Sequence, residues 1–90
     1  MIHLILKSAI PHGKPDDGYL TYEGNGQFSD KENVKYKAYD QLDSAKRELK
    51  VLLKGGPISD DGLMGEDPKG YFYSIASVPE EEARKQLYLQ

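Results

Sequence analysis

Along several stretches of the chain hydrophobic and polar residues alternate, and along one they recur every three to four positions. From Ile2 to Ala9, Ile2, Leu4 and Leu6 fall on one face and His3, Ile5 and Lys7 on the other. A period of two predicts a strand with a strongly apolar face. Ile5 makes the second face partly apolar, as in a central strand. Pro11 to Gly18 (PHGKPDDG) is a turn-rich connection to a second strand at Tyr19 to Glu23. Gly24-Asn25-Gly26 then signals a tight turn, because all three residues tolerate positive φ. Gln27-Phe28 resumes an extended path into the polar turn Ser29 to Asn33.

The stretch Asn33 to Gly56, NVKYKAYDQLDSAKRELKVLLKGG, joins both periodicities. Val34, Tyr36 and Ala38 alternate with Lys35 and Lys37, which predicts a half-buried strand with a solvated lysine face. Asp40 is the expected N-cap of the helix that follows, with Asp43 at the positive end of its dipole. Leu42, Ala45, Leu49 and Leu52 form one apolar stripe, broadened by Leu53. Lys46, Arg47, Glu48 and Lys50 occupy the polar side. Gly55 suits the left-handed position after the last turn, and Pro57 blocks continuation.

Ile58 to Gly70 (ISDDGLMGEDPKG) reads as a long loop, of the kind that in compact domains is often functional or mobile. Tyr71 to Val78 is a clear strand. Pro79 suits the first position of a short closing helix, with Glu80, Glu81 and Glu82 in its first turn and Ala83, Leu87 and Tyr88 toward the core. The predicted order is β-β-β-α-β-α in a single domain, residues 1–90. The fold class is α+β: a three- to four-stranded antiparallel or mixed sheet, one main helix (about 41–54) on one face, and a short C-terminal helix.

Composition narrows the function. Ninety residues make a core but leave no room for a deep enclosed active site. With no cysteine, thiol catalysis, disulfides and thiolate metal sites are excluded. The absence of stapling and of a signal-peptide pattern predicts a cytoplasmic location. No apolar run approaches the length of a membrane span. A net charge of −3 opposes nonspecific nucleic-acid binding.

Candidate chemistry is sparse. His12 sits in a Pro-Gly loop beside Asp16 and Asp17, where a base or metal site is conceivable, but no third ligand is near and a surface histidine is expected. His3 alternates with core positions and reads as a half-buried sheet residue. Asp60, Asp61, Glu66 and Asp67 cluster in the long loop, yet their spacing does not fit a calcium loop, D-x-[DN]-x-[DN]-G-x5-E. The glycines occur in no phosphate-cradle context, and no serine has a nucleophile elbow or a His–acid arrangement. No catalytic residue, metal or cofactor is expected.

Seven tyrosines, against two phenylalanines and no tryptophan, are the other informative feature. Two or three belong in the core as ordinary strand residues. The rest are stiff and amphipathic, which suits a protein-binding surface. The expected partner-binding residues are Tyr19, Tyr22, Asp60, Asp61, Glu66 and Asp67, with the acids steering a larger, basic protein partner. The alternative is a nucleic-acid-binding regulator using Lys35, Lys37, Lys46, Arg47 and Lys50. A third reading is a dimeric structural module in which Ile2–Leu6 or Tyr71–Val78 forms a sheet edge that pairs between chains, so the chain is expected as monomer or homodimer.

Between Tyr19 and Leu53 the succession of a tyrosine-rich strand, a glycine turn, FSDKENVKYKAY and DQLDSAKREL resembles a pattern common among small uncharacterised α+β proteins of bacteriophages and prophages. It covers about a third of the chain and describes strand, turn and helix rather than chemistry. The resemblance implies a noncatalytic binder that inhibits a host system, as anti-defence proteins do, and it carries over no functional residue.

Overall fold

A computed structural model describes residues 1–13, 18–31, 34–86 and 88–89, with side chains as far as Arg84. In chain order the elements are β1 (Ile2–Ser8), β2 (Tyr19–Gly24), β3 (Gln27–Ser29), β4 (Lys35–Tyr36), α1 (Leu42–Leu52), β5 (Met64–Glu66), β6 (Phe72–Val78), α2 (Glu80–Gln86) and β7 (Tyr88–Leu89). The expected Asp16 and Asp17 beside His12, and Leu87 of the closing helix, lie outside the described residues.

The α+β class stands, but the sheet is larger than the sequence pattern predicts. Five antiparallel strands are ordered β3-β2-β1-β6-β5, and β4 and β7 form a separate parallel pair. β1 is central. It pairs with β6 from Ile2↔Val78 to Lys7↔Tyr73, but with β2 only from Leu6↔Thr21 to Ser8↔Tyr19. Where β2 leaves β1, Tyr39 takes its place and exchanges two 2.9 Å backbone hydrogen bonds with His3. The Lys37 N–H bonds the freed Tyr22 carbonyl at 2.9 Å. The central strand thus keeps its backbone groups paired on both sides.

The fifth strand comes from the segment expected to be a loop. Residues 57–66 form a hairpin, with the Ser59 and Glu66 N–H groups donating to Met64 and Pro57 carbonyls at 2.8 and 3.0 Å. Its second arm, β5, pairs onward with β6 from Met64↔Ser74 to Glu66↔Phe72. Short strands rich in glycine have no alternation to detect, so only the pairing reveals them. The 57–59 arm also covers the outer edge of β5. β1 and β6 are interior strands, so the edge-to-edge dimerisation expected of Ile2–Leu6 or Tyr71–Val78 has no free edge to use.

α1 begins one residue later than expected. Gln41, in extended conformation and without a side-chain cap, precedes it in place of Asp40. At its other end Lys54, with φ 51°, takes the left-handed position expected of Gly55, which follows at φ 84°. Gly56 then serves a close approach: a Cβ there would lie 1.9 Å from the Glu66 carbonyl oxygen. Along the expected helix stripe Ala45, Leu49 and Leu53 are buried, and Leu42 and Leu52 are half-buried.

α1 packs against the His3/Ile5/Lys7 face of β1, not the Ile2/Leu4/Leu6 face. Ile5, Tyr22, Tyr73, Leu49 and Leu53 form the core, flanked by Phe28, Tyr39, Leu52, Tyr71 and Ile75. Tyr22 of β2, Phe28 of β3 and Tyr73 of β6 gather on this face, where Ile5 of β1 joins them. Full burial of Ile5, Leu49 and Leu53 contributes about 1.5–3 kcal/mol each. On the opposite face Ile2 and Leu4 are buried near the end where β6 turns into α2, whose Ala83 is also buried. Among the described residues no helix is long and apolar enough to cross a membrane.

Candidate functional site: an open sheet face

Away from α1, the far end of the sheet is uncovered by the described residues. The registers set two rows of side chains on this face. Tyr19 of β2 lies opposite Ser8 of β1, and Phe72 of β6 opposite Glu66 of β5; the Phe72 N–H joins these two pairs by bonding Ser8 Oγ at 3.0 Å. The next row is Thr21, Leu6, Ser74 and Met64. The small side chains Ser8 and Ser74 among the larger Tyr19, Phe72 and Met64 leave a hollow of about 470 Å³, lined by Tyr19, Met64, Phe72, Ser74, His12 and Gly13 among others. Tyr19, Phe72 and Met64 remain 46%, 44% and 60% exposed. Single exposed apolar side chains are ordinary, but three around one concavity are not.

The rim is polar and acidic. His12, at φ 56°, is held by its N–H bond to the Gly70 carbonyl (2.6 Å), and its ring lies against the Gly70 Cα. Its Nδ1 stands 3.9 Å from Glu66 Oε1. Lys7, the one lysine in the five strands of this sheet, projects to the opposite, helix-bearing side, so no strand cation faces the hollow. His3, as expected, is a half-buried sheet residue, with Nδ1 2.7 Å from Ser77 Oγ on β6. No group of three potential metal ligands occurs among the described residues.

The six expected contact residues divide. Tyr19 and Glu66 meet at this face. Asp60 and Asp61 form the tip of the 57–66 hairpin, where Asp61 Oδ1 accepts from Ser59 Oγ (2.6 Å) and the Leu63 N–H (3.0 Å). The Ser59 hydroxyl above all, then the Leu63 amide, holds the Asp61 carboxyl below its usual range. Tyr22 and Asp67 are buried and offer no surface to a partner. The Tyr22 hydroxyl donates to Glu48 at 2.8 Å and accepts from the Gly26 N–H, which ties α1 to the β2–β3 turn.

Asp67 is a structural carboxylate, 8% exposed. Oδ1 accepts the backbone N–H groups of Lys69 (2.9 Å) and Tyr71 (3.0 Å), and Oδ2 accepts the Tyr73 hydroxyl at 2.8 Å. Burial by itself would raise its pKa. The bonds from Tyr71, Tyr73 and Lys69, with the positive charge of Lys7, outweigh burial and hold the carboxyl below its ordinary value. A cluster of acids in sequence resolves into two turn-formers and one rim residue, with Asp60 exposed at the hairpin tip.

The five expected nucleic-acid residues are split by α1. Lys37 stands over the Tyr39 ring at 5.5 Å, beside Glu48. The Lys46 methylenes pass Gly62 and its charge acts on Asp61. Residues two apart on a helix point to opposite flanks, so Glu48 and Lys46 face away from each other and Lys37 does not extend the Lys46 side. Arg47 and Lys50 are exposed on α1, and Lys35 is exposed on β4.

The sequence reading missed Phe72, Met64 and His12 as lining of the hollow. The detectable signal was Phe72, an aromatic on the weaker face (Phe72, Ser74, Ala76) of an otherwise plain strand. No family model matches the chain, and no curated protein or solved structure matches it.

Proposed function

We propose that this chain is a small non-enzymatic binding protein that docks a larger protein on the open end of its sheet. The observation that carries the reading is the 470 Å³ hollow walled by exposed Tyr19, Phe72 and Met64. The partner segment that fits has an apolar side chain for the hollow and an adjacent lysine or arginine for Glu66, with Asp60 and Asp61 adding long-range attraction. The likeness to small phage proteins supports a partner within a host system that the chain inhibits from the cytoplasm. The division of Lys35, Lys37, Lys46, Arg47 and Lys50 by α1 weighs against a nucleic-acid regulator.

The test places a photo-crosslinking residue at Phe72 and, as control, at Arg47 on the helix side. The expected result is a discrete adduct from Phe72 only, lost with Tyr19→Ser or Met64→Glu and weakened by salt. Equal crosslinking from both positions refutes docking on this face. An adduct solely to a second copy of the chain replaces the hetero-partner with self-association.

A further inference from the structure

On the other side of the sheet, three lysines from distant parts of the chain surround one hollow. It measures about 360 Å³ and is lined by Lys7, Lys54, Lys69, Asp67, Phe28 and Tyr71 among others. We propose that this hollow is a binding site for a small phosphomonoester carrying an apolar or aromatic group.

Lys7 provides the first reason. Its side chain is half-buried, and Nζ lies 4.1, 5.3 and 5.7 Å from the ring centres of Tyr71, Phe28 and Tyr73. Among the described residues it has no carboxylate oxygen within ion-pair distance. Ring faces attract the charge but accept its three N–H donors poorly, so the ammonium retains donors for whatever enters the hollow. Asp67, the acid in the lining, already accepts three hydrogen bonds, from two amides and the Tyr73 hydroxyl. Three cations against one carboxylate leave a surplus of two positive charges.

The backbone supplies the second reason. Lys54 stands in the left-handed conformation at φ 51°, where glycine or asparagine is usual. Lys69 is fixed within the 67–70 turn by its N–H bond to Asp67 Oδ1. Both lysine backbones are thus set by hydrogen-bonded turns beside the hollow. A doubly charged phosphomonoester matches the surplus where a monocarboxylate leaves one cation unmet. Phe28, Tyr71 and Leu52 give an apolar wall for the organic part, and the volume lies at the small end of ligand pockets.

The test titrates the protein with phenyl phosphate, inorganic phosphate and benzoate at low salt, following backbone amide shifts. Saturable shifts at Lys69, Gly70, Tyr71 and Gly26 are expected, tightest for phenyl phosphate, with a Kd on the order of 1 mM or below. Lys69→Gln, which leaves the backbone bond to Asp67 intact, is expected to weaken binding about tenfold, as for the loss of one charged contact. Lys54→Gln is expected to act likewise. Lys7→Gln removes binding altogether, and an unchanged amide spectrum outside the hollow shows that it still folds. Preference for inorganic phosphate removes the apolar part of the proposal. Absence of saturation with all three probes, equal affinity for benzoate, or undiminished affinity in Lys69→Gln and Lys54→Gln overturns it. Docking on the opposite face is unaffected by either result.

Discussion

Replacing Asp67 with alanine removes the acceptor for two backbone amides and for the hydroxyl of Tyr73, at 2.9, 3.0 and 2.8 Å. A hydrogen bond to a charged acceptor contributes about 1.5–3 kcal/mol, and an abandoned buried donor costs about 1–3 kcal/mol. The Lys69 amide lies at an exposed turn and regains water, whereas the Tyr73 hydroxyl is buried in the core and does not. The burial of the carboxylate opposes these gains. The net expectation is a loss of about 3 kcal/mol, a large part of the roughly 5–13 kcal/mol available to 90 residues. In thermal terms, at about 4–8 °C per kcal/mol, that is roughly 12–24 °C. Asp67→Asn keeps an acceptor for the amides and should lose less than half as much.

Urea denaturation followed by circular dichroism measures these differences, and a cycle with Tyr73→Phe isolates the carboxylate–phenol pair. The pH dependence has a definite sign. The folded pKa of Asp67 lies below its unfolded value of about 3.9, so its contribution is full above that value and disappears as pH falls through the lower, folded one. Asp67→Asn should therefore lose less stability than the wild type between about pH 4 and the acid limit. Asp67→Ala within about 0.5 kcal/mol of wild type, or strict additivity with Tyr73→Phe, would refute the reasoning.

Three further outcomes follow from the same structure. Gly56→Ala should cost about 2–3 kcal/mol or more in chemical denaturation, because its Cβ would meet backbone oxygens of Glu66 at 1.9 Å and Leu53 at 3.0 Å that cannot rotate away. Ser29→Ala should be neutral or slightly stabilising by thermal melting, since the buried Ser29 hydroxyl has no hydrogen-bond partner among the described residues. The Tyr39 hydroxyl, pushed up to about 12 by burial and then by Glu48, should ionise well after free tyrosine in an ultraviolet titration. Its folded pKa is raised, so stability is full below about pH 10, falls as pH climbs toward 12, and falls less in Tyr39→Phe.

Much of the framework was legible because it follows from local chemistry. Alternation at Ile2–Ser8 and Phe72–Val78, the Gly24-Asn25-Gly26 turn and the Ala45/Leu49/Leu53 stripe each express a backbone preference or a period within a few residues. The open face was half legible. Tyr19 and Glu66, expected as contacts, lie on it, whereas Tyr22 and Asp67, expected with them by residue type, are buried, and type does not report burial.

By itself, then, the sequence determined the class of fold, the central strand, the hairpin turn and the helix with its buried stripe. The tertiary structure decided which face of β1 lies beneath α1, because that depends on where Tyr22 and Tyr73 arrive from other strands. It made a strand of Met64–Glu66, whose pairing with β6 and with residues 57–59 no local period announces. It turned Asp67 inward, since three donors converge on it only once the 67–71 turn closes over Tyr73. It also placed Lys7, Lys54 and Lys69 around one hollow and Tyr19, Phe72 and Met64 around another. Periodicity carries information over neighbouring residues, whereas sites assembled from separate strands and turns exist only after strand order and register are fixed.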